Sequence, residues 1–423
     1  MNTLLLEPSD ILFFRDGRPM SGSLSGYGAA WPLPTVLSGA LHAALWRSDI
    51  ASHSHRRGRS GRWNNDQRDR RFGSLFSAGP FPEREGTWYF PRPADAQKAG
   101  SSAVTLYPHS APTASSLPTP LVYSIANTEL PTKDKPETWF SREAWRSYLT
   151  GQPSVGPANH FRRDSEFCDS EYSIGIGIDP ETGTQDGVQI YTAHYLRLKP
   201  GWRLACLAEA RDKEHKLKDI IPLLISSRGG IVVGGQQRIC SATLKENEPP
   251  NLPLGSRITG TRVKWVLLTP AIFPGIGSHP GGSLPSWVNH QTGQVELLDG
   301  PGKNAASRRR QPEGKPIAAK LVAALIGKPI PVTGYALPYE AIGSQGGAKP
   351  AHLAVPAGAV YYFEATSEPE ARKLADALNW HGATPGTEIK NRRSTLMGEK
   401  GFGLGVCGTW DFHPAVHKAT TTS

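Results

Sequence analysis

Val188-Gln-Ile-Tyr-Thr-Ala-His-Tyr-Leu-Arg-Leu198, the turn Lys199-Pro200-Gly201 and Trp202-Arg-Leu-Ala-Cys-Leu-Ala208 together decide how this chain reads as a fold. Both arms are rich in β-branched, aromatic and aliphatic residues, and a Pro-Gly turn divides them, so the spacing predicts a strand hairpin. Upstream, Thr3 to Glu7 reads as a strand, broken at Pro8-Ser9-Asp10 before Ile11-Leu-Phe-Phe14. Thr35 to Trp46 places Val36, Leu37, Ala40, Leu41, Ala44 and Leu45 at helical spacing, with Pro32 and Pro34 at its start. Downstream of the hairpin, Leu217, Ile220, Ile221, Leu224 and Ile225 mark a second helix face, with Pro222 inside it as a kink. Gly230 to Gly235 and Ile239 to Thr243 are again strand-like. The order is strand, helix, long insertion, two strands, helix, strand.

That order is βαββαβ, the ferredoxin-like arrangement also used by RNA-recognition modules. The second half repeats it loosely. Arg262 to Leu268 is a strand, and Pro270 to Lys315 is a Gly/Pro-rich insertion. Strands follow near Ala319–Ile326 and Pro329–Leu337, then the clearest strand of the chain, Gly358-Ala-Val-Tyr-Tyr-Phe-Glu364. Ser367-Glu-Pro-Glu370 opens a helix to Trp380 with a capping box, and Leu404 to Phe412 is the last strand. The fold class is therefore α+β: two tandem ferredoxin-like (RRM-type, βαββαβ) domains with large loop insertions. The first is expected over 1–250, carrying an insertion at about 48–187, and the second over 251–423. Within the insertion only Thr87–Phe90, Leu121–Ser124 and a short helix from Ser141 to Leu149 show pattern.

Composition bounds the rest. The 423 residues suffice for two or three domains with real cores. No run of some 18 apolar residues and no leader pattern is present, so neither a membrane span nor a signal peptide is expected. Cys168, Cys206, Cys240 and Cys407 are far apart with no CxxC, which excludes local zinc knuckles and fits a reducing cytoplasm. Lys and Arg total 47 against 37 Asp and Glu, a net charge of +10. A basic field of that size favours a polyanion such as nucleic acid; a mildly basic ordinary surface is the alternative.

The charge is clustered. His53 to Phe72 holds Arg56, Arg57, Arg59, Arg62, Arg68, Arg70 and Arg71 with Trp63 and Phe72 interleaved, which suits phosphate contact and base stacking or, equally, an acidic protein neighbour. Arg308, Arg309 and Arg310 form a second basic loop of the same kind. The pair His53 and His55 lacks the further ligands a metal needs. Gly403-Leu-Gly-Val-Cys-Gly408 spells GxGxxG, but only fifteen residues follow it and no helix can open there, so a dinucleotide site is excluded. A glycine loop that brings backbone N–H groups to a phosphate remains, flanked by Lys390, Arg392, Arg393 and Lys400. The alternative is a plain turn with solvated lysines.

Catalytic patterns are scarce. None of the metalloprotease, nucleophile-elbow, P-loop or polymerase-type motifs occurs. Asp164, Glu166, Asp169 and Glu171 stand beside Arg162 and Arg163, as an ion-paired surface would. His42 on the first helix is the one candidate general acid or base, for a metal-independent ribonuclease.

Phe14-Arg-Asp-Gly-Arg-Pro19, Trp31-Pro-Leu-Pro34 and the helix to Trp46 resemble the third-subunit family of the Cmr complex, RAMP-superfamily proteins of type III-B CRISPR effectors. The resemblance continues at Ile174 to Pro180, Tyr191 to Leu198, Gly234-Gly-Gln-Gln-Arg238, Val355 to Phe363 and Gly401-Phe-Gly-Leu-Gly405. It departs at Ala359, where the family often has Ser, and at Gln236, where it carries an acidic motif. The resemblance implies two fused ferredoxin-like domains and a non-catalytic cytoplasmic subunit without cofactor or membrane contact. Its implied partners are the 5′ repeat-derived tag of the crRNA, the large polymerase-like subunit and the backbone RAMP subunits. On that reading, Arg15 and Arg18 grip phosphates from a loop constrained by Gly17 and Pro19. Gln236 and Arg238 act from a Gly-Gly turn. Lys390, Arg392, Arg393, Lys400, Gly401, Gly403 and Gly405 cradle the strand. A repeat-processing endoribonuclease using His42 and a protein-only adaptor are the alternatives.

Overall fold

The described residues of this computed structural model are 1–14, 31–48, 75–99, 102–109, 118–126, 137–150, 160–212, 218–228, 230–246, 248–276, 279–299, 314–336 and 347–413. The first large sheet is built on β1 (Asn2–Pro8), whose Leu4, Leu5 and Leu6 are all buried. After the two-residue β2 (Leu12–Phe13) comes α1 (Pro34–Trp46), which starts with proline where no N–H is needed. Next are β3 (Leu75–Arg84) and β4 (Thr87–Pro91). Then β5 (Trp139–Ser141) leads into α2 (Arg142–Leu149), which Ser141 caps through its hydroxyl, and β6 (Phe161–Arg162) follows.

A long ribbon is formed by β7 (Cys168–Ile178) and β8 (Gln185–Leu198). The chain returns to the sheet in β9 (Arg203–Asp212), α3 (Ile221–Arg228), β10 (Gly230–Val232) and β11 (Ile239–Lys245). The strand order is β6-β5-β4-β3-β9-β1-β11-β10, with the short Lys218–Asp219 strand also on β9. The central run β3-β9-β1-β11 is antiparallel throughout.

Three sequence expectations change here. The arms 188–198 and 202–208 do not form a hairpin: β8 pairs with β7 and β2, whereas β9 pairs with β1 and β3. In β9, Leu204 to Ala208 are completely buried on both faces, which demands a central position between two strands. The second core strand is β3, inside the stretch expected to be an insertion. Its Gly79, Pro80 and Pro82 erase the alternation that marks a strand. Gly79 takes φ +98° at a bulge against β9, where a Cβ would stand 2.8 Å from the Ala205 carbonyl oxygen. Pro222 does not kink α3; it lies in the first turn, where its missing N–H costs nothing.

The second sheet contains β12 (Arg262–Leu267), β13 (Ala319–Leu325), β14 (Val360–Ala365) and β15 (Gly405–Thr409), in the order β13-β14-β12-β15. Between β14 and β15 lies α4 (Glu368–Leu378), capped by the Ser367 hydroxyl on the Glu370 N–H. Among the described residues no helix joins β12 to β13. The expected strand at Pro329–Leu337 reduces to Ile330–Val332 and Tyr335–Ala336, paired outside this sheet.

The period of two along each strand sorts side chains into layers. On one face of the first sheet Leu4, Leu6, Cys206 and Ala208 pack under α1 and α3. On the other, Leu5, Ala205 and Leu207 meet Val266, Val322, Tyr362 and Val406 of the second sheet, with Trp145 of α2 and Trp380 in the same core. The far face of the second sheet buries Val263, Trp265, Phe363 and Leu321 under Ala371, Leu374 and Leu378 of α4. Each fully buried large aliphatic or aromatic side chain contributes on the order of 1.5–3 kcal/mol.

Candidate nucleic-acid interface

The layering decides which surfaces an RNA can reach. An RNA-recognition sheet stacks bases on its open face. Here the inner faces of the two large sheets bury each other and their outer faces carry helices, which leaves loops, helix flanks and the β7–β8 ribbon, where Tyr172, Ile174, Ile176 and Ile178 are exposed.

The best-defined loop is Gly234-Gly-Gln-Gln-Arg238, between β10 and β11, closed by the Val233 N–H to the Arg238 carbonyl at 2.8 Å. Gly234 and Gly235 lie directly on Phe13 and Phe14: a Cβ on Gly234 would stand 2.5 Å from the Phe13 carbonyl oxygen, and the Gly235 N–H donates to that oxygen at 2.9 Å. The turn is thereby fastened to the end of β2 and to Phe14, the residue before Arg15 in the sequence. Gln236 and Gln237 both have positive φ, 55° and 52°, a conformation unusual for residues with side chains. Arg238 is held within the chain: Nη1 lies 3.5 Å from Asp10, Nη2 donates to Gln236 at 3.3 Å, and the guanidinium sits 5.5 Å from the Tyr195 ring centre. The Ile11 backbone N–H, joined by Arg197 and Arg238, keeps the Asp10 carboxyl below its ordinary range. Between α1 and this turn lies a cleft of about 570 Å³.

The second group lies on residues 381–404, which lead from α4 to β15. Its glycines do not offer N–H groups to a phosphate, and the cradle expected there is corrected. Gly401, Gly403 and Gly405 are buried, and each is small because another part of the chain crowds it. A Cβ on Gly401 would stand 2.8 Å from the Ala78 Cα of β3, one on Gly403 2.0 Å from the Ser394 nitrogen, and one on Gly405 2.2 Å from the Trp265 indole nitrogen. The N–H groups of 401–404 donate internally, to the carbonyls of Gly398, Met397 and Pro270 and to the Thr269 hydroxyl. The loop docks the second half onto the first.

The flanking cations divide. Arg393 Nε donates to the Ala377 carbonyl at 2.5 Å, closing the C-terminus of α4. Arg392 lies under cover, 5.1 Å from the Phe76 ring centre; burial lowers its pKa to about 10, and Nε and Nη2 have no hydrogen-bond partner among the described residues. Lys390 is exposed and donates to the Thr384 carbonyl at 3.0 Å. Lys400 ends the short Gly398–Lys400 turn, which lies against β3 and α1. Because α1 also contacts β10, the two groups of candidate residues meet on the flanks of one helix.

Arg15, Arg18, Arg56, Arg57, Arg59, Arg62, Arg308, Arg309 and Arg310 lie outside the described residues, as do His53 and His55. His42 is on α1 but not among the residues lining the cleft. The acidic cluster is ion-paired, with Arg162 to Glu166, Lys199 to Asp169 and Arg197 to Glu171. Sequence reasoning passed over Asp10, the acid that holds Arg238, and Arg47, which lines the cleft; neither lies in a motif. No helix among the described residues is long and apolar enough to cross a membrane.

Among solved structures, a chain of the type III-B Cmr-beta complex bound to cognate target RNA, seen by cryo-electron microscopy, is similar at 14% identity over 85% of this chain and 86% of that one, with a TM-score of 0.45. A second Cmr-beta structure, with target RNA and AMPPnP, gives 13% identity over 85% and 86% of the two chains at TM-score 0.45. A chain of the Csm3–Csm4 subcomplex of a type III-A CRISPR-Cas interference complex gives 12% identity over 87% and 94%, at TM-score 0.36. No curated protein matches the chain. The family model of the CRISPR-associated protein Cas_Cmr3 matches residues 4–410, nearly the whole sequence, and the chain belongs to that family.

Proposed function

We propose that this chain is a non-catalytic RNA-binding subunit of a type III-B effector in antiviral defence, holding the 5′ tag of the crRNA and bridging the large polymerase-like subunit to the backbone RAMP subunits. The family match over residues 4–410 carries the reading. The strand orders β11-β1-β9-β3 and β15-β12-β14-β13 support a pair of ferredoxin-like units meeting sheet to sheet, with the boundary near residue 250. The net charge of +10 suits a polyanionic partner, and a cytoplasmic location goes with that role. In this reading the tag lies along the flanks of α1, with Gln236, Arg238, Lys390 and Lys400 at the surface and Arg392 and Arg393 shaping the loop beneath. Arg15, Arg18 and the arginine-rich loops extend the basic field.

One observation favours a protein-only adaptor: part of each guanidinium is engaged inside the chain, Arg238 with Asp10 and Gln236, and Arg393 with the Ala377 carbonyl. Binding and cleavage of repeat-tagged and scrambled RNA, by the protein alone and with its large-subunit neighbour, separate the readings. Tag-dependent retention without cleavage is the expected result. Indifference to both RNAs would leave the adaptor, and metal-free cleavage abolished by His42→Ala would leave the ribonuclease.

A further inference from the structure

We infer that the cleft between α1 and the 234–237 turn receives one unstacked nucleobase of a single-stranded RNA, read by the amides of Gln236 and Gln237. The inference rests on the RNA-binding reading above and adds a subsite to it.

Two departures from local rules converge on this cleft. Gly39 lies in the interior of α1, where glycine costs about 1 kcal/mol relative to alanine. Among the described residues nothing in the packing asks for it: a Cβ there would meet none of their atoms within 4 Å. What Gly39 does is leave the cleft wall open, together with the small side chains of Ala40 and Ala43. Across the cleft, Gln236 and Gln237 hold positive φ, where glycine would be favoured. Residues that carry backbone strain persist where the surroundings use them. Here they bring two amide side chains to the rim of the same cleft.

The lining suits a base. Phe13, Phe14, Val36 and Ile231 provide apolar surface for a flat ring. An amide offers both donor and acceptor to a Watson–Crick edge, the edge read when single-stranded RNA is splayed. Gln236 Oε1 already accepts from Arg238, which orients that amide. Arg47 on the rim and Arg238 behind the turn supply positive charge for the flanking phosphates. At about 570 Å³ the cleft lies within the roughly 300–1,000 Å³ of small-ligand sites, room for a nucleotide.

The test uses the full-length chain, alone and with its large-subunit neighbour, and tagged RNAs in which each tag position in turn is abasic or carries a different base. The variants are Gly39→Leu, which fills the cleft while favouring helix, and Gln236→Gly/Gln237→Gly, which suits the turn while removing both amides. Both variants should melt at or above the wild-type temperature, so loss of binding is not loss of fold. The expected result is one tag position where the wild type discriminates by about ten-fold, the scale of one well-made edge contact. Both variants should lose discrimination at that position and keep the remaining affinity. Unchanged discrimination in both variants overturns the subsite and leaves RNA binding standing. Loss of protein assembly by Gly39→Leu with discrimination intact assigns the cleft to a protein side chain and also overturns it. A wild type that binds no RNA overturns both readings.

Discussion

Lys264 on β12 places its ammonium 3.7 Å from the Asp95 carboxylate and 3.8 Å from the centre of the Tyr148 ring, at a point where both charges are cut off from water. Tyr148 donates to one Asp95 oxygen at 2.6 Å and Tyr362 to the other at 2.9 Å. The cluster therefore ties the loop before residue 96 to α2, β12 and β14, within the core shared by the two sheets. Desolvation pulls the Lys264 pKa down against the pull of Asp95, and pushes both tyrosines well above their ordinary value. A buried pair of this kind is costly to break and cheap to replace as a whole.

Lys264→Met alone strands the Asp95 carboxylate, and Asp95→Asn alone strands the ammonium. Each should destabilise the protein by about 3–5 kcal/mol. The double substitution should recover most of that loss. Urea unfolding of the three variants measures it, and a double variant that loses the sum of the two single losses would show that the pair is not energetically coupled.

Buried thiols give the stability a pH dependence. Burial raises the pKa of Cys168 and Cys240 from an ordinary value near 9 to about 12, and pushes those of Cys206 and Cys407 well above that ordinary value. A raised acid keeps its proton in the folded state while the unfolded chain gives it up. Its contribution is complete below about pH 9 and is lost as pH rises toward 12. Relative to Cys240→Ala, the wild type should lose about 1 kcal/mol of stability between pH 8 and pH 10. Matching urea midpoints at the two pH values would contradict this. The native thiols should also resist a water-soluble thiol reagent.

The glycine loop separates docking from phosphate binding. Gly403 has φ +75° and no room for a Cβ, whose place is 2.0 Å from the Ser394 nitrogen. Gly403→Ala should therefore cost several kcal/mol, on the order of 3 or more, seen as a lower melting temperature with no RNA present. Gly260 also has positive φ, +75°, but open space, so Gly260→Ala should cost only about 1 kcal/mol. A fully stable Gly403→Ala with impaired RNA binding would restore the phosphate cradle.

What the sequence made legible follows from what is local. The apolar stripe of α1, the Ser367 cap and the continuous apolar run of β14 are read within a few residues, and all three form. The choice of strand partner is not local: nothing in 188–208 says that β8 turns away to β7 while β9 enters the sheet centre. β3 hid behind Gly79, Pro80 and Pro82 because its bulge, not its propensity, makes it fit. The site shows the same split. The glycines of 401–405 announce that no Cβ is tolerated, but only the fold shows that Ala78, Ser394 and Trp265 are what forbid it. Arg392 and Arg393 announce charge, and burial then turns that charge inward.

Arg238 is where the RNA-binding and adaptor readings diverge most cleanly, because its partner Asp10 is itself half exposed. If Arg238 meets a phosphate, Asp10 competes with that phosphate for the same guanidinium. Removing the acid should then strengthen RNA binding. The competing surface pair is worth about 0.2–1 kcal/mol, so Asp10→Asn should tighten tag-RNA binding by roughly 1.4- to 5-fold at low salt. Arg238→Met should weaken it and reduce the salt dependence by about one phosphate contact. In the Arg238→Met background, Asp10→Asn should have almost no further effect, because the competition it relieves has gone. Filter binding across a salt series measures all four proteins. If Asp10→Asn gives the same gain with and without Arg238, the acid acts only through net charge, and Arg238 serves to hold the 234–238 turn on Tyr195 and Asp10 rather than to contact RNA.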